Sequence, residues 1–156
     1  MSALIADVPA TTVALTANTA LTWIGVKTPG ANQPLKILEA AVSMDGATSS
    51  NAPAVVDFCN CTFATNSPGT NSTSVTPVKR NQSMAETIQS TAAKNWTAEP
   101  TVVTPFRSLD IAQFDGLYHY INPLASPYII AGGKGFTIRS TSPNNVNTTG
   151  HITFEE

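Results

Sequence analysis

The chain has 156 residues, enough for one domain with a substantial buried core. Eight Lys and Arg against ten Asp and Glu give a net charge of −2, and charged residues make up only 12%, about half the usual share. The cations are too few and too dispersed for a phosphate-backbone binder, so nucleic acid is not an expected partner. No apolar run approaches the roughly 18 residues of a membrane helix, so no membrane contact is expected either. The opening MSALIADVPATT has neither the basic nor the long apolar region of a secretory signal, which predicts a soluble protein synthesised in a cytoplasm.

Residues 1–19 read as an arm. Pro9 interrupts a run of Ala and Thr, and the apolar residues Leu4, Ile5, Val8, Val13 and Leu15 are too sparse for a helical face. A short edge strand and an extended segment that orders only against a neighbour both fit. Termini without a sheet partner are usually loose, which favours the second. Residues 20–156 are then the folded domain.

Ala20–Val26 is the first convincing strand, with Leu21, Trp23 and Gly25 alternating against Thr22, Ile24 and Val26. A turn cluster at Thr28–Asn32 leads into Pro34–Met44, PLKILEAAVSM. Leu35, Leu38 and Val42 fit a helical stripe, but Leu38, Ala40, Val42 and Met44 alternate and Asp45-Gly46 closes the run. A strand is expected. After a small-residue loop at 47–52, Ala54–Thr65 places Val56, Phe58 and Asn60 on one face and Asp57, Cys59, Cys61 and Phe63 on the other. The two cysteines would have Cα atoms about 6.6 Å apart with parallel side chains, near the limit for a disulfide. They read as small buried apolar residues.

A polar stretch that includes the one adjacent basic pair, Lys79-Arg80, runs to about Met84. Glu86–Trp96 is mixed and is read as a strand over a short helix, Pro100–Phe106 as extended, and Arg107–Asp115 as holding one helical turn. Gly116–Ile121 alternates Leu117, His119 and Ile121 against Tyr118 and Tyr120. Tyr128–Ala131, the turn Gly132–Gly135, the alternating run Phe136–Thr141 and the turn Ser142–Asn145 then lead to a closing strand, in which Ile152 and Phe154 alternate with His151, Thr153 and Glu155. The lysine in Gly132–Gly135 reads as a hairpin tip. About eight short strands punctuated by turns predict an all-β chain, a β-sandwich.

Chemistry is sparse. The G-x-S-x-G, H-E-x-x-H and P-loop orders are all missing, and Asp45, Asp57, Asp110 and Asp115 lack calcium-loop spacing. His119 and His151 lie on different strands, and each reads as a packed or surface residue. A catalytic role would need one of them beside a carboxylate in a cleft. No catalytic, metal or cofactor site is assigned and no enzymatic activity is expected. Trp23, Trp96, Tyr118, Tyr120 and Tyr128 include candidates for sugar stacking, but such residues pack as readily in a core or at a subunit contact.

The segments PLKILEAAVSMDG, PAVVDFCNCTFATN, PGTNSTSVTPV, IQSTAAKNWTAEPTVV and, most specifically, GFTIRSTSP with VN and ITFEE resemble small structural proteins of tailed bacteriophages. The resemblance covers about residues 34–156. It implies a jelly-roll module of the trimeric tumour-necrosis-factor-like kind, serving as a head decoration (cement) protein on the capsid surface of the virion. A homotrimer with Tyr118, Tyr120 and Tyr128 at its interface would follow, with the major capsid protein as partner. Leu4, Ile5, Val8, Val13 and Leu15 of the arm would then contact the capsid. The alternative is a tail or fibre module that binds a host-surface carbohydrate.

Overall fold

The first strand of the chain, Ile5–Leu15 (β1), lies inside a sheet, hydrogen-bonded to a neighbour on each side. This computed structural model describes residues 3–46, 52–101, 103–123 and 126–156, so most of the loop expected at 47–52 lies outside the described residues. Among the described residues eleven more strands follow β1. The next are Ala20–Lys27 (β2), Leu35–Met44 (β3), Ala54–Cys61 (β4), Thr73–Val75 (β5) and Val78–Lys79 (β6). Then come Thr91–Lys94 (β7), Val103–Ile111 (β8), Leu117–Ile121 (β9), Tyr128–Ile130 (β10), Gly135–Thr141 (β11) and Val146–Glu155 (β12). The described residues contain no helix, and the chain is an all-β sandwich.

One sheet runs β10-β3-β12-β1-β6 with β9 also paired to β3, and the other runs β5-β7-β2-β11-β4-β8. β1 pairs with β12, β2 with β11, β3 with β9 and β10, and β4 with β8, all antiparallel. These pairings nest, first strand with last and second with second-to-last, alternating between the two layers. The described residues thus hold twelve strands where about eight were expected; β1 and the short strands β5 and β6, of two or three residues, are among the additions.

The core forms where the inner faces meet. Trp23, Ile24, Phe58, Phe136 and Ile138 from one sheet pack against Val8, Ile37, Val42, Ile152 and Phe154 from the other. A smaller cluster on the second sheet joins Cys61, Phe63, Ala93 and Trp96. The cysteines are buried and unpaired, as read from the sequence. Burial pushes the Cys59 thiol up to about 12 and the Cys61 thiol up to about 11.

The N-terminal arm is the main correction. Leu4, Val8, Val13 and Leu15 are buried and Ile5 is half-buried. Ala6, Val8 and Ala10 point inward; a bulge between Ala10 and Val13 then shifts the phase so that Val13 and Leu15 point inward too. That phase change made the apolar residues look sparse. The domain therefore begins with β1, and these five residues are structural.

Other departures have the same origin. β3 is a strand, but a bulge at Leu38 leaves that residue half-exposed while Ile37 and Ala40 fill the core. Of Arg107–Asp115, expected to hold one helical turn, the first five residues instead extend β8, because the open edge of β4 supplies ladder partners as far as Ala54↔Ile111. Within Glu86–Trp96 only Thr91–Lys94 is a strand. The turn at Gly132–Gly135 is no hairpin tip: it carries the chain from one sheet to the other, with Gly133 at φ 79°.

Candidate functional site: the outer face of the β9–β6 sheet

Alternate residues of the first sheet point away from the core, and the strand registers line several of them up. Ala41 of β3 is paired with His119 of β9 on one side and His151 of β12 on the other. Glu39, two residues earlier on the same face of β3, is paired with Thr153, which in turn is paired with Asp7 of β1. The residue of β3 set between the two histidines is thus Ala41, whose side chain is a methyl group.

Both histidines turn toward Glu39. His151 Nε2 lies 2.8 Å and His119 Nε2 3.2 Å from Glu39 Oε1. The imidazole centroids are 6.1 Å apart, edge to face. Arg80 follows β6, its backbone N–H donating to the carbonyl of Ile5 at 3.0 Å. Its guanidinium donates to Asp7 (Nε to Oδ2, 3.0 Å) and to Thr153 Oγ1 (3.0 Å), and stands 3.6 Å from Glu39 Oε1. Thr153 donates to Asp7 at 2.5 Å.

This network sets the charges. The hydrogen bond from His151 holds the Glu39 carboxyl below the usual carboxylate range, against the opposing pull of burial, with His119 and Arg80 adding to it. Burial pushes the Asp7 carboxyl up, but hydrogen bonds from Arg80 and Thr153 and the charge of Arg80 outweigh it and the carboxyl is held low. The hydrogen bond to Asp7 raises Arg80 further. Two imidazoles and a carboxylate converging on one point can bind a proton or a metal ion. The side chains of His119, His151 and Glu39 are 45%, 36% and 22% exposed, on an open sheet face and not at the base of a cleft. The histidine-beside-carboxylate condition for catalysis is therefore met, and the cleft condition is not.

Apolar residues flank the histidine on β9. Leu117 and Ile121, on the same face as His119, are 72% and 63% exposed, and Ile129 of β10 is 58% exposed. Among the described residues β9 pairs only with β3, so its other edge is open.

Tyr118, Tyr120 and Tyr128 point the other way and are half-buried. Phe58 meets Tyr118 at 6.0 Å and Tyr120 at 5.6 Å between ring centroids, while Phe106 stacks on Tyr128 at 4.0 Å. The Arg107 guanidinium lies 4.4 Å from the Tyr120 ring centroid, and the Tyr120 hydroxyl donates to Asn122 Oδ1 at 2.5 Å. Burial pushes the Tyr128 phenol up. These tyrosines pack, partly buried, against the main core. Trp23 and Trp96 are fully buried and offer no sugar platform.

At the opposite edge of the sandwich a groove of about 540 Å³ lies among Val75, Pro77, Val78, Ile88, Thr91 and Ala92. Lys79 beside it donates to the carbonyls of Met84 and Glu86 at 2.8 and 2.9 Å.

Glu39 was not singled out from the sequence, although it sits at an outward position of an alternating strand, which was a usable signal. Arg80 was noted only as half of the basic pair Lys79-Arg80 in a polar stretch, with no partner assigned. The chain matches no family model, no curated protein and no solved structure.

Proposed function

We propose that this chain is a non-enzymatic structural subunit of a tailed-phage particle, a head decoration protein that self-associates on the outer surface of the capsid. The observation that carries the proposal is the open edge strand β9, with Leu117 and Ile121 more than half exposed beside Ile129. Proteins usually protect such edges with charge, proline or a covering element, and an exposed apolar stripe marks an interaction surface. The half-buried Tyr118, Tyr120 and Tyr128 beneath it give the edge a rigid aromatic backing. The nested pairing of first strand with last supports the jelly-roll reading of the resemblance.

Self-association through one edge and a different surface of the next copy is a heterologous contact, which closes as a ring; the resemblance favours three copies. Attachment to the major capsid protein then uses a surface other than β1, whose apolar residues are occupied in the core. Sedimentation velocity on the purified chain, together with a chain-traceable cryo-EM reconstruction of the particle, tests the reading. Trimers in solution and trimeric density over the capsid lattice are expected. Density confined to the tail would move the reading to a host-surface carbohydrate module, and absence from the particle would overturn both.

A further inference from the structure

We propose that Glu39, His119 and His151 form a binding site for one divalent transition-metal ion of the zinc class on the outer face of the β9-β3-β12 sheet. This inference does not depend on the virion reading. One donor atom from each residue lies within 4.8 Å of the other two. The three come from three adjacent strands whose registers are set by ladder pairing, so the cluster is held by the sheet and not by a loop.

The spacing suits a tetrahedral ion. Metal–ligand bonds near 2.1 Å put neighbouring donors about 3.4 Å apart. The two imidazole nitrogens already stand 2.8 and 3.2 Å from Glu39 Oε1, close to that spacing, and all three donors lie within 4.8 Å of one another. Ala41 between the histidines leaves the point of convergence clear, where a larger outward side chain would fill it.

The donor set selects the ion. Two imidazoles and one carboxylate suit zinc and its first-row neighbours, whereas calcium and magnesium prefer oxygen donors throughout. Without metal, each Nε2 can donate a proton to Glu39. With metal, each ring carries its proton on Nδ1 and turns the Nε2 lone pair to the ion. Three protein donors leave a fourth position facing solvent, as the partial exposure of all three side chains requires. Arg80 opposes binding, because its guanidinium stands 3.6 Å from the same carboxylate oxygen. It is already tied to Asp7 and Thr153 and remains in place when the ion enters.

The test uses untagged full-length protein, freed of metal with a chelator and equilibrated by dialysis against zinc chloride, with bound metal counted by mass spectrometry. One zinc per chain at micromolar free zinc is expected. His119→Ala and His151→Ala should each weaken binding by at least about tenfold. Arg80→Gln should strengthen it, a change that a merely structural role for the cluster would not produce. Circular dichroism establishes that each variant is folded. A second measurement on the unaltered chain needs no variant: zinc should shift the imidazole NMR signals of both His119 and His151 together. Absence of saturable uptake, uptake unchanged in both histidine variants, or imidazole signals that ignore zinc would each overturn the proposal.

Discussion

Trp23 stands against Gly150 across the core: a Cβ built on Gly150 would lie 2.8 Å from Cη2 of Trp23 and 2.0 Å from the carbonyl oxygen of Ala41. The indole occupies space that β12 leaves open by having no side chain there, and its Nε1 donates to Ser140 Oγ at 3.0 Å across to β11. Gly150→Ala must therefore displace either the indole or the β12–β3 ladder. A loss of about 2 kcal/mol is expected, read as a melting temperature about 4 to 8 °C lower. An unchanged melting curve would show that the ladder yields without cost.

Removal of residues 2–16 takes away β1, which separates β12 from β6 and contributes Val8, Val13 and Leu15 to the core. The truncated chain should give no cooperative thermal transition. A milder probe, Val8→Asp, places an unpartnered carboxylate in that core and should cost at least about 3 kcal/mol in urea unfolding. A truncated chain with a native melting profile would restore the N-terminus to the status of a detachable arm.

The buried thiols make an alkaline prediction. Their ordinary value is 9.0, and in the fold burial raises Cys59 to about 12 and Cys61 to about 11. The folded state thus holds its thiol protons more tightly than the unfolded state. Their contribution to stability is complete below pH 9.0 and is lost as the pH rises through about 11 and then about 12. The double variant Cys59→Ala, Cys61→Ala should flatten the alkaline fall in unfolding free energy. In the native protein at about pH 8, both thiols should resist a disulfide reagent until urea is added.

Replacing the exposed Leu117 and Ile121 by Lys removes the apolar stripe without entering the core. Sedimentation should change from an oligomer to a monomer while the melting temperature of the domain falls only by the loss of association. An oligomer of unchanged size would remove β9 from the self-association surface.

Asp7 makes the opposite pH prediction from the thiols. Its carboxyl is held low in the fold, with an ordinary value of 3.8, so its stabilisation is present above that pH and disappears as the pH falls through the lower folded value. The Arg80 side chain that holds it is 47% exposed, and solvent screening limits the effect to about 1 kcal/mol or less. Asp7→Asn should lower stability by this small amount at neutral pH and make little difference in strong acid. Equal loss at both pH values would mean that packing, and not charge, is what Asp7 contributes.

Alternation alone was enough to read Ala20–Val26, Gly116–Ile121 and the C-terminal strands, and Ala54–Thr65 up to its end at Cys61, and with them the all-β class and the burial of both cysteines. Such a pattern is local: side chains of a strand point to opposite faces whatever the partner strand is. Where a bulge breaks the period, as between Ala10 and Val13 or at Leu38, the pattern misleads, because the extra residue is accommodated by the neighbouring strand and leaves no mark of its own in the sequence. Pairing also decided β8, where the edge of β4 drew Arg107–Ile111 into the ladder. The candidate site lies wholly on that non-local side. Glu39, His119 and His151 are separated by 80 and 32 positions along the chain; the two histidines could be noticed one at a time, but neither could be joined to the other or to Glu39. Only the order β9-β3-β12 and its registers bring their donor atoms to one point, since residues on adjacent strands become neighbours through ladder hydrogen bonds and not through sequence.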